Sequence, residues 1–195
     1  MAVHSRSLLT AALIAGATVA PADIIDWKTV DGWDISFYPG SAGCQAFALF
    51  EENTAFFIGY DSTENQLSLD VTILDESWAS IEDGTEYPIK LRFGDESAWT
   101  LNMDGVRLDG YPGLNIMIDA TSAEARLFIE EFQHERSMEW RYQKTVLGRY
   151  TLSGSRKAFD EVIACQRSYT QAMTSDADPF AASPASDSDS DPFSQ

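Results

Sequence analysis

The chain has 195 residues, 44% of them hydrophobic and 12% aromatic, and carries 31 acidic against 13 basic residues for a net charge of −18. Such a surface repels phosphate backbones and anionic bilayers at long range, which excludes nucleic acid as an expected partner and favours basic proteins or cations. Two histidines in the whole chain exclude a histidine-cluster metal site, and no motif calls for a metal or a cofactor.

The first residues read as a targeting segment. Met1 to Arg6 is a short basic region, Leu8 to Ala20 is an apolar run, and Ala20-Pro21-Ala22 supplies a small-residue cleavage site, so residues 1–22 are expected to be a secretory signal peptide. The run is shorter than the roughly 20 residues a membrane-spanning helix needs, and no later stretch reaches that length. There is no cysteine at the site and no twin arginine, which points to Sec-type export into a periplasm or the medium, without membrane insertion once the signal is removed. Cleavage takes Arg6 and no acid, leaving 12 basic and 31 acidic residues and a net charge of −19. A single domain over residues 23–173 and an acidic tail over residues 174–195 account for the rest.

From Asp23 the chain gives two aromatic strands, Ile24 to Val30 and Trp33 to Tyr38, separated by Asp31-Gly32. Gly43 to Phe50 has apolar residues at both parities, as in a strand covered on two sides. Glu51-Glu52-Asn53 turns the chain into a strand from Ala55 to Tyr60. Gln66 to Ile73 alternates cleanly, with Leu67, Leu69, Val71 and Ile73 on one face and Ser68, Asp70 and Thr72 on the other. Asp75 to Ile81 reads as a short helical turn capped by Asp75 or Ser77. In the next strand, Thr85 to Phe93, Pro88 argues for an edge position or a bulge. Ala98 to Met103 and Leu114 to Ile118 follow, punctuated by Gly105, Gly110 and Gly113.

The period then changes. Thr121-Ser-Ala-Glu124 reads as a capping box, and Ala125, Phe128, Ile129 and Phe132 fall on one face of a helix. Two more strands, Met138 to Tyr142 and Thr145 to Leu152, lead to a final helix with Ala158, Phe159, Val162, Ile163 and Cys165 along its buried stripe. The expected fold is α+β: a β-rich antiparallel sandwich or barrel with two packed helices. In an exported chain two distant cysteines form a disulfide in preference to a metal or redox site, so a Cys44–Cys165 bond is expected to staple the C-terminal helix to an early strand.

Past Met173 the composition is Ser, Asp, Ala and Pro with five acids and no base, that of a disordered tail. It repeats a short motif, Asp178-Pro179-Phe180 and Asp191-Pro192-Phe193, in which a phenylalanine could anchor in an apolar pocket with a basic rim.

The Asp26-Trp27 start, the Cys44-Gln45 strand and the string Leu152-Ser-Gly-Ser-Arg-Lys-Ala158-Phe159 resemble small exported bacterial proteins of the invasion-associated locus B type. The resemblance implies export and a β-rich disulfide domain. The additional cysteines of that family are absent here, and no catalytic residue carries over.

Chemistry-bearing residues are sparse. His134, the only histidine after residue 22, sits at a polar helix end where a solvated side chain is the ordinary case. Asp95 and Glu96 lie close to Trp99, the residue pattern of a carboxylate-based hydrolase acting on a sugar polymer. Ser153, Gly154, Ser155, Arg156 and Lys157 place backbone N–H groups, hydroxyls and two cations at a helix start, a seat for a small anion. Internal pairing of Arg156 with Asp160 and Lys157 with Glu161 competes with that use. Charge is unevenly spread, with 23 acids and 5 bases in residues 23–135 against 3 acids and 7 bases in residues 136–167. The sequence therefore leads to an exported, non-enzymatic binding protein whose acidic surface engages a basic protein such as a cell-wall hydrolase, with the hydrolase and the anion binder as alternatives.

Overall fold

A computed structural model describes residues 23–50, 53–63 and 66–175. The signal segment, Glu51 and Glu52 of the turn, and the tail with its two Asp-Pro-Phe motifs lie outside the described residues.

Ten strands form one antiparallel sheet: β1 (Ile25–Val30), β2 (Trp33–Tyr38), β3 (Gly43–Leu49), β4 (Thr54–Asp61), β5 (Ser68–Asp75), β6 (Glu86–Phe93), β7 (Trp99–Leu108), β8 (Tyr111–Asp119), β9 (Ser137–Tyr142) and β10 (Thr145–Thr151). Helix α1 (Ala123–His134) lies between β8 and β9, and α2 (Ser155–Ser175) follows β10. The spatial order β1-β2-β3-β4-β5-β8-β7-β6-β9-β10 means that β6, β7 and β8 form a meander that returns beside β5. The sheet curls until its last strand meets β4. Tyr150 of β10 donates its hydroxyl to Thr54 Oγ1 at 3.1 Å and stacks on Phe50 at 4.7 Å.

Alternation places one face of every strand in a common core. Trp33, Ile35, Cys44, Ala46, Phe56, Ile58, Leu69, Val71, Ile73, Leu91, Met103 and Trp140 are all buried. Helix α2 covers this inner face over β1 to β4, through Tyr169 stacked on Phe37 at 3.9 Å and Phe159 against Tyr60 at 5.9 Å. Helix α1 adds Phe128 beside Phe93 and Phe132 between Trp33 and Phe159. Cys44 and Cys165 are joined, with their Cα atoms 6.0 Å apart across a separation of 121 residues. Beside the bond, the Cys44 amide donates to Gln166 Oε1 at 2.8 Å. The expected α+β fold and staple are both present.

Local details differ. The strands around Gly105 and Gly113 run on to Leu108 and start at Tyr111, because the β7–β8 ladder continues through Gly105↔Leu114 and Val106↔Gly113. Strand β6 is interior rather than an edge. Pro88 pairs with Asn102 of β7, while β9 begins to pair only at Ile89, so the missing N–H falls where the β9 ladder has stopped. Residues 75–81 form turns instead of a helix: Asp75 ends β5, and its carboxylate accepts from the Ser77 amide at 2.9 Å and from Thr54 Oγ1 at 2.8 Å. The N-cap of α1 is Ser122, which accepts from the Ala125 amide at 3.0 Å. Thr121 is drawn to Asp119 instead, and its two donors hold that carboxyl below the ordinary aspartate value. Helix α2 continues through Ser175, so residues 174 and 175 belong to it and not to the tail.

Candidate binding surface

The opposite, outer face of the sheet is where the structure departs most from expectation. On β3 the residues turned away from the core are Gln45, Phe47 and Leu49, and no second layer of described chain covers them. They form part of an open hollow of about 910 Å³ on the outer face of β3, β4 and β5, closed at one side by the β7–β8 hairpin. Phe47, Phe57, Leu49 and Leu74 make apolar walls, and Leu108 and Tyr111 lean in from the hairpin. Leu49 is 62% exposed and Tyr111 54%, unusual for side chains of this size.

Registers across the sheet explain the floor. Gln45, Gly59 and Asp70 lie side by side on β3, β4 and β5, with Phe47, Phe57, Thr72 and Asn115 in the adjacent row. Because Gly59 has no side chain, Gln45 reaches across β4 and donates to Asp70 Oδ2 at 2.6 Å. A Cβ at Gly59 would stand 2.1 Å from the Cys44 carbonyl oxygen, so the close approach of the strands requires glycine. Asn115 donates to Asp70 Oδ1 at 2.6 Å and Thr72 donates to the same oxygen at 3.0 Å.

Asp70 is thus buried, holds three uncharged donors and enters no ion pair among the described residues. Burial pushes its carboxyl above the ordinary aspartate value, against the pull of Thr72, Asn115 and Gln45, and Asp61 adds to the rise. At the rim, Tyr38 is raised by burial and by Asp26 and Asp34. Glu76 and Asp109 add further acids to the lining. Chemically the hollow suits a group with an apolar stem and a cationic or hydrogen-bond-donating tip.

The same outer face changes character beyond β7. Lys90 and Arg92 of β6 lie opposite Arg141 and Glu139 of β9, and Arg149 of β10 lies opposite Glu139. Glu139 is buried among them. It accepts from Arg141 Nη1 at 3.1 Å and from Arg149 Nε, with Arg92 at 3.8 Å, and these guanidinium groups hold its carboxyl below the ordinary glutamate value.

The residues singled out from the sequence occupy other places. Ser153 accepts at its carbonyl from the Trp33 indole at 2.9 Å, Gly154 has φ +82° against Asp31, and Ser155 is buried at the start of α2. Lys157 pairs with Asp31 at 2.9 Å, which raises the Lys157 ammonium above its ordinary value, while Arg156 is exposed. The pairs expected along α2 are replaced by pairs between elements: Glu161 takes Lys28 and the Trp27 indole, and Asp160 takes Gln133. Long-range partners were closer than the helix's own side chains. Asp95 and Glu96 are exposed in the turn before β7, and the Trp99 indole donates to Glu131 at 2.6 Å while its ring packs edge-on against Phe128. His134 is exposed, its Nδ1 2.8 Å from the Glu130 carbonyl.

The hollow itself was not singled out. Its signals were present in the apolar residues at both parities of β3 and in the lone glycine at position 59 between Gln45 and Asp70. No family model, curated protein or solved structure matches the chain.

Proposed function

We propose that this is an exported binding protein that uses the outer-face hollow to engage a basic protein partner, taking a lysine or arginine side chain with its stem along Phe47, Phe57 and Leu74 and its charge at Asp70. The observation that carries the reading is the Asp70 carboxylate, buried on the floor of an apolar hollow with three neutral donors and no cation of its own. A partner's cation would complete the charge that the fold leaves uncompensated. The disulfide fits an oxidising compartment, and among the described residues no helix is long and apolar enough to cross a membrane.

The test is affinity capture from an envelope extract of the source cells, with mature protein and two variants, Asp70→Asn and Tyr111→Asp. A basic protein retained by the unmodified chain should be lost or weakened at least about tenfold with Asp70→Asn, as expected for removing one side of a desolvated charge pair. Its association should also slow as salt rises. A partner captured equally by all three forms would place the interface elsewhere.

A further inference from the structure

The outer face of β6, β9 and β10 gathers Lys90, Arg92, Arg141 and Arg149, with Lys144 in the adjoining β9–β10 turn. A single acid, Glu139, stands in that set of paired positions. It neutralises one charge and fixes the guanidinium groups in place, while Lys90 and Lys144 form no ion pair among the described residues. The result is a surplus of positive charge on a chain of net charge −18. Along β6 the cations recur at every second residue, about 6.7 Å apart at the rise of an extended strand.

One segment of the same chain has the opposite charge at the same period. Ser186-Asp187-Ser188-Asp189-Ser190-Asp191 lies outside the described residues and alternates aspartate with serine. In an extended strand its three carboxylates would share one face at the spacing of the cations. The 20 residues after Ser175 contain five acids and no base. Strand β10 ends the sheet, so its free edge offers backbone groups to an added extended segment.

The lengths are compatible. Helix α2 carries the chain about 30 Å from Ser155, close to the end of β10, to Ser175. Twelve residues separate Ser175 from Asp187 and sixteen separate it from Asp191, a reach of about 40 to 55 Å at full extension. A chain this acidic disfavours an external polyanion at long range, whereas a tethered segment arrives at high effective concentration.

We propose that Asp187, Asp189 and Asp191 fold back onto Lys90, Arg92, Arg141 and Arg149 beside β10, so that the chain's own tail covers its cationic patch. Any acidic partner of that patch then has to displace the tail.

Both native cysteines are in the disulfide, so a nitroxide can be attached at Ser194→Cys in the otherwise intact mature chain. At low salt the label should broaden the amide resonances of β9 and β10 far more than those of β2 and β3. High salt, which shortens the screening length, should restore them to their unlabelled intensity. The combined variant Asp187→Asn, Asp189→Asn and Asp191→Asn should do the same at low salt. Broadening spread evenly over the sheet, or unchanged in the combined variant, overturns the proposal. Broadening that grows in proportion to protein concentration also overturns it, because the tail would then be sitting on a neighbouring copy.

Discussion

The outer face of the sheet carries two buried acids with opposite surroundings. Asp70, over β3 to β5, is met by an amide, a hydroxyl and another amide, and burial raises its pKa. Glu139, over β9, is met by arginines, and its pKa falls. The difference shows that burial alone does not decide how a carboxylate behaves. What decides is whether the fold supplies a countercharge. At Glu139 it does, and a cationic patch surrounds a satisfied pair. At Asp70 it does not, and an apolar hollow surrounds an acid still able to accept a cation.

The two halves are also held differently, which gives the largest expected effect. The hollow half is backed by α2 and tied to it through Cys44, while β9 and β10 have no covalent tie. Replacing Cys44→Ala together with Cys165→Ala should lower unfolding stability by about 2–5 kcal/mol in urea titration. Hydrogen exchange should accelerate first in β2 and β3 and least in β6 and β9, and uniform acceleration would erase the distinction between the halves.

A smaller effect belongs to the patch. Glu139→Gln should cost about 1–2 kcal/mol at neutral pH, a figure limited by the solvent exposure of the arginines. Because the folded pKa of Glu139 lies below its unfolded value, its contribution is present above the ordinary glutamate value and is lost as pH falls through the folded one. The gap between variant and unmodified chain should therefore close in acid. The smallest effect has the opposite sign. For Asp70 the folded state holds its proton more tightly than the unfolded state, so its contribution declines as pH rises from the ordinary aspartate value through the raised one. Asp70→Asn should remove that slope and be neutral or stabilising by up to about 1 kcal/mol near neutrality. A clear loss of stability at neutral pH would mean that the charged carboxylate is needed by the fold itself.

Much of this architecture was legible from local pattern. Alternation in residues 66–73 placed Leu69, Val71 and Ile73 in the core, the apolar stripe of α1 marked Phe128 and Phe132 as buried, and oxidising export suggested the staple. The sites were less legible because they are assembled across strands. Gln45, Gly59, Asp70 and Asn115 come from four strands, and only register brings them together. Apolar residues on both faces of β3 suggested a covered strand, but the outer set lines a hollow that no described element fills. The cationic patch was half visible in residues 136–167, while Lys90 and Arg92 come from the acidic part of the chain and join it through the β6–β9 pairing. Thr121 lost the cap of α1 to Ser122 because Asp119 competes for its donors, a contest that a capping-box pattern does not register.

The contrast between the two acids is open to direct measurement by following the side-chain carboxyl carbons of Asp70 and Glu139 by NMR across the acid range. Asp70 should titrate above the ordinary aspartate value and Glu139 below the ordinary glutamate value in the same sample. An Asp70 that titrates at or below its ordinary value would contradict the account, since the hollow would then stabilise the anion as well as water does and leave nothing for a partner's cation to supply.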